Sequence, residues 1–171
     1  MKRINTRSIV LIGTFSAISI IIARFLVIYL TNSLRISFGN VPIILAGLLL
    51  GPWAGALTGA ISDILGAAVF SPLGWYPPLT ISPVLVGIIP GLLKPLLLRT
   101  VTYPRMLAIL FATNLITSIG VTTYLLSGLY GTPYRELLVL RAPLSLAMTL
   151  VEALILFLLY KRLKKELPSK N

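Results

Sequence analysis

At 171 residues, 57% hydrophobic and only 11% charged, the chain carries more apolar surface than one water-soluble core of this size holds, so its solvent is lipid. It has no cysteine and no histidine, which excludes disulfides, thiolate or imidazole metal sites and the commonest catalytic base. The net charge of +11 would suggest nucleic acid in a soluble protein; here it is read by position relative to the bilayer.

Taken in chain order, the hydropathy predicts an all-α integral membrane protein: one bundle of six transmembrane helices. The first span covers residues 8–30, after Lys2, Arg3 and Arg7, and is too long for a signal-peptide core. A polar outer loop, 31–40, precedes a short apolar run, 41–50, which Gly51-Pro52 breaks because proline lacks the amide donor a continuing helix needs. Residues 52–70 form the third span, with Thr58, Ser62 and Asp63 as its polar positions. A second outer loop, 71–79, is rich in turn formers and aromatics. The remaining spans are 80–98, with Pro83 and Pro90 tolerated by their neighbours, then 106–126 and 135–159.

Orientation follows from the basic residues. With both termini cytoplasmic, Lys2, Arg3, Arg7, Lys94, Arg99, Arg105, Lys161, Arg162, Lys164, Lys165 and Lys170 lie inside, eleven of the fifteen. Only Arg24, Arg35, Arg135 and Arg141 fall at outer span ends or in outer loops. No lysine is among them.

Arginine at membrane depth is costly unless it faces protein or a water-filled cavity and finds a partner. Arg24, Arg141 and Asp63 are predicted at similar outer depth, so Asp63 either pairs with one arginine or receives donors from a ligand. One carboxylate cannot neutralise both arginines, and an anionic ligand would supply the missing charge. Phe38, Trp75, Tyr76, Tyr124, Tyr130 and Tyr134 gather at the same level. For Tyr130 and Tyr134 an interfacial aromatic belt suffices. Trp75 and Tyr76 lie in a proline-bounded loop, where a flat aromatic ligand would stack while an arginine grips its carboxylate.

Gly47, Gly51, Gly55 and Gly59 recur every fourth residue and read as close helix packing. Gly13 and Ala17 open a second smooth stripe on the first helix, compatible with packing inside the chain or with docking on a partner membrane protein. There is no GxxxxGK[ST] phosphate loop and no intramembrane pair of acids for an ion relay. No enzymatic role and no cofactor is expected, and energy for solute accumulation would come from another subunit.

The segment Arg35-Ile36-Ser37-Phe38-Gly39-Asn40-Val41-Pro42, continuing through Gly47, Gly51-Pro52, Gly55, Gly59 and Ser62-Asp63, resembles the S components of energy-coupling-factor (ECF) transporters, within them the folate-specific group. Gly13 and Ala17, followed by Ala23-Arg24-Phe25-Leu26, are similar to the family's first helix, with glycine where its docking motif has alanine. Arg141 with Glu152 is similar to its sixth. The likeness is strong over 35–91 and looser beyond Arg99. It implies a plasma-membrane protein of a prokaryote that binds a vitamin from outside. Its expected partners are folate or a related vitamin, the lipid bilayer, a transmembrane coupling subunit and two ATPase subunits. The expected ligand set is Arg24, Arg35, Phe38, Asn40, Asp63, Trp75, Tyr76 and Arg141, with Gly13 and Ala17 for docking. Rival readings are an S component for another vitamin and a self-contained secondary transporter.

Overall fold

A chain solvated by lipid has to satisfy its backbone hydrogen bonds internally, and the apolar runs do so as helices. The computed structural model describes residues 6–29, 35–70, 75–98 and 100–166. Lys2, Arg3, Arg99, Lys170 and the loop residues 31–34 and 71–74 singled out above lie outside that set. The elements are α1 (Thr6–Phe25), α2 (Asn40–Leu50), α3 (Pro52–Phe70), α4 (Ile81–Leu97), α5 (Tyr103–Asn114), α6 (Thr123–Tyr130) and α7 (Tyr134–Glu166). A 3₁₀ turn, Pro77–Thr80, leads into α4, and a π-helical segment, Leu115–Thr122, joins α5 to α6 as one rod.

Five of these rods are long and apolar enough to cross a bilayer: Thr6–Phe25, Pro52–Phe70, Pro77–Leu97, Tyr103–Tyr130 and Tyr134–Leu163. The sixth member, α2, has 11 residues, about 16 Å at 1.5 Å per residue against a hydrocarbon core of about 30 Å. It does not span. Val41 through Leu48 are all buried, so α2 is a central post jacketed by its neighbours. The first helix also departs from expectation. It stops at Phe25, and Ile28–Tyr29 instead pairs antiparallel with Arg35–Ile36 as a two-residue ladder, Ile28 opposite Ile36 and Tyr29 opposite Arg35.

Glycine sets the packing. Gly51 has φ of 105°, a conformation that disfavours any side chain, and it folds α3 back along α2. A Cβ built on Gly55 would lie 2.7 Å from the Gly47 Cα and 2.4 Å from the Gly87 carbonyl oxygen; one on Gly59 would lie 2.1 Å from that of Pro83. Gly47, Gly55 and Gly59 are therefore the contact along which α2, α3 and α4 touch backbone to backbone. Partners Gly87 and Gly91 come from α4.

Contacts between helices give the directions. Ser16 Oγ donates to the Thr58 carbonyl, and Arg24 lies against Gly66, so α1 and α3 run parallel. Asp63 meets Thr80 while Gly55 meets Gly87, so α4 runs opposite to α3. Ser118 bonds Ser145 and Arg141 bonds Thr123, so α7 runs opposite to the α5–α6 rod. One end of the bundle thus holds Arg24, Asp63, Thr80, Thr123 and Arg141.

Candidate functional site

At that end α2 begins below the rim. Counted from Gly51, Asn40 is 11 residues back and Asp63 is 12 forward, so in a folded-back pair of helices the two share a level. The start of α2 is pinned there: Ser19 Oγ donates to the Gly39 carbonyl at 2.7 Å, and the Gly39 amide donates to Ser37 Oγ at 3.2 Å. A side chain on Gly39 would strike Ala23, its Cβ 2.6 Å away. No acid occupies the first turn of α2, so its positive dipole end is not offset there by a side-chain charge.

Around this floor stand the groups that carry charge and rings. Asp63 Oδ2 accepts from Thr80 Oγ1 at 2.7 Å, and the same Thr80 oxygen accepts from Trp75 Nε1 at 2.8 Å. The carboxylate and the indole, 12 residues apart in sequence, are thereby held by one hydroxyl. Trp75 and Tyr76 are both partly open to solvent. Arg24 is half-buried and rests its guanidinium on the bare Gly66. Across the mouth, Arg141 Nε donates to Thr123 Oγ1 at 3.2 Å, and Thr123 donates to the Ser118 carbonyl at 2.8 Å. That last bond reaches back five residues rather than four, as does Thr122 to the Thr117 carbonyl, so the π-helical segment sets the platform on which Arg141 rests. Ser82 Oγ lies 2.7 Å from Thr122 Oγ1 and, because the Thr122 proton goes to the Thr117 carbonyl, donates to it, tying the same segment to α4.

Of the expected ligand residues, Arg24, Asn40, Asp63, Trp75, Tyr76 and Arg141 share this end. Phe38 differs, since its ring is partly buried against the apolar core that includes Val41 and Ile44. It packs in part against that core and stays in part exposed. Arg35 reaches the site end through its backbone, in the ladder with Tyr29; its side chain lies outside the described atoms. Glu152 is buried in α7, 11 residues and therefore about 16 Å along the axis from Arg141, so the two do not meet. Thr80, Ser82 and Thr123 were missed from sequence because lone hydroxyls inside apolar runs give no signal.

The net charge here is positive: Arg24, Arg35, Arg135 and Arg141 against Asp63 and Glu136, the latter exposed in the first turn of α7. Such a mouth concentrates anions. Gly13 and Ala17 stand apart, on the exposed face of α1, with nothing within 4 Å of a Cβ built on Gly13. Among the described residues, packing inside the chain does not use that stripe.

Residues 3–165 match the family model described as the ECF-type riboflavin transporter, S component. The chain belongs to that family. Among characterised proteins it is similar to "Folate transporter FolT" of Clostridium novyi (strain NT), 26% identical over 157 residues, covering 92% of this chain and 88% of that protein. Among solved structures it is similar to "Crystal structure of FolT bound with folic acid", with a TM-score of 0.81 and 26% identity across 92% of this chain and 95% of that one. Membership fits the apolar rods, and the S component is the transporter subunit of a multi-pass membrane protein class.

Proposed function

We propose that this chain is the high-affinity folate-binding S component of an ATP-driven ECF vitamin importer in a prokaryotic plasma membrane. The likeness of nearly the whole fold to a FolT structure holding folic acid carries the reading. The chemistry of the mouth supports it. Folate has a flat pterin, a benzoate ring and two carboxylates, matching partly open aromatics, one carboxylate and surplus arginines. In this reading Asp63 accepts from the pterin's amino and ring N–H groups, Trp75 and Tyr76 stack, and Arg24, Arg35 and Arg141 receive the carboxylates, with Asn40 and Phe38 at the floor. Without a phosphate loop, the chain delivers its cargo through a transmembrane coupling subunit and two ATPases. The family description names riboflavin, which is the second reading; the likeness to a structure holding folic acid favours the first.

Titrating the purified protein with each vitamin separates the two. Folate is expected to quench Trp75 fluorescence saturably, with riboflavin inert; saturable riboflavin binding and no response to folate overturns the assignment. Alanine at Arg24, Arg141 or Asp63 is expected to weaken folate binding about tenfold or more, since a hydrogen bond to an ionised group contributes about 1.5 to 3 kcal/mol. Titration calorimetry beside thermal melting checks it. If all three variants bind as tightly as the parent, the charge assignment is wrong.

A further inference from the structure

The hydroxyl of Thr80 makes two bonds whose direction is fixed by chemistry. An indole N–H only donates, so Thr80 has to accept from Trp75, and its single proton is then left for Asp63 Oδ2. Both lengths, 2.8 and 2.7 Å, are those of well-formed bonds. The chain of donors therefore runs one way: indole to hydroxyl to carboxylate. It occupies one oxygen of Asp63 and turns the carboxylate so that the other is the one left for a ligand. It also fixes the indole by its only polar atom, which leaves the ring faces for stacking.

We infer that Thr80 is a positioning residue for vitamin binding: through one hydroxyl it sets the direction in which the Asp63 carboxylate and the Trp75 ring meet the ligand. Thr80 does not itself touch the vitamin. Its place at the junction of the 3₁₀ turn and α4 suits this, because α4 is held on both flanks there, by Thr80 to α3 and by Ser82 to the π-helical segment. A group fixed on a braced helix end loses little freedom when the ligand arrives, and that preorganisation lowers the dissociation rate. The inference rests on the vitamin-binding reading above, and it adds a residue that no charge or ring in the sequence points to.

Thr80→Val keeps the shape and removes both bonds, whereas Thr80→Ser keeps the hydroxyl. In a Trp53→Phe background, where Trp75 is the remaining tryptophan, the vitamin-free Thr80→Val protein is expected to be quenched by acrylamide more readily than its parent, with Thr80→Ser unchanged. Folate should leave the Thr80→Val protein about tenfold faster, and the Thr80→Ser protein within about twofold of the parental rate. Trp75→Phe removes the indole donor alone, so in a relay the Thr80→Val and Trp75→Phe effects on affinity fall short of adding. Fully additive effects, or parental quenching and dissociation in Thr80→Val, overturn the inference. Should Thr80→Val not fold, Thr80→Ala in the same three measurements decides it. The quenching arm needs no ligand, and if the parent binds riboflavin instead, the dissociation arm runs with riboflavin, so loss of the folate assignment and loss of the relay are told apart.

Discussion

Gly87→Leu is expected to yield no folded protein, and Gly87→Ala a protein whose melting temperature falls steeply. A Cβ at Gly87 would sit 2.1 Å from the Gly55 carbonyl oxygen and 2.2 Å from its carbon. Those are backbone atoms of a helix packed on three sides, so no rotamer change relieves the clash. Overpacking of a core costs about 1–3 kcal/mol even where side chains can adjust, a large share of a domain stability of about 5–15 kcal/mol. Gly128→Ala is the control, because nothing lies within 4 Å of a Cβ built there. Thermal melting and gel filtration in detergent check both. If Gly87→Ala melts like Gly128→Ala, the close approach of α3 and α4 is not what holds this bundle together.

The second large effect concerns the stripe on α1. Replacing Gly13 and Ala17 together by leucine is expected to abolish ATP-dependent uptake in vesicles that also hold the coupling subunit and ATPases, while vitamin binding by the isolated chain stays at its parental value. Both positions are exposed, so new side chains cost this fold little, yet they would hold a partner's backbone away from a surface smooth enough for close contact. Ser16 and Ser19, on an adjoining face of the same helix, are buried against α3 and Gly39, and they anchor α1. Uptake at parental rates with both leucines in place removes this face as the docking surface.

Much of this architecture was legible because lipid leaves few alternatives. The third span was read as 52–70 and α3 is Pro52–Phe70, since Pro52 marks its first turn. The helices and the apolar runs differ in their bounds where apolarity and helicity part company. Ile28 and Tyr29 continue the hydrophobic run of α1, but they are a β-branched and an aromatic residue with a strand partner in Arg35–Ile36, and only that pairing ends the helix. The last span was cut at residue 159 where hydropathy falls, whereas α7 continues to Glu166, because a helix needs hydrogen bonds and not apolar side chains. Arg24, Asp63 and Arg141 could be picked out because a charge at membrane depth demands a reason. Thr80 could not, for its meaning lies in a partner 17 residues away.

The short post α2 acts as a depth gauge. Seven residues of α3 continue past Asp63, about 10 Å of wall above the level where α2 starts. On the binding reading proposed above, the start of α2 is the base of the vitamin's site, and the usable height is set by where one buried helix begins. Adding a single turn to α2 would lift that base by about 5.4 Å, roughly halving that height without altering any residue of α3. Cargo size in such a bundle is thus open to change by insertion at one helix start, separately from the wall chemistry that selects which cargo enters.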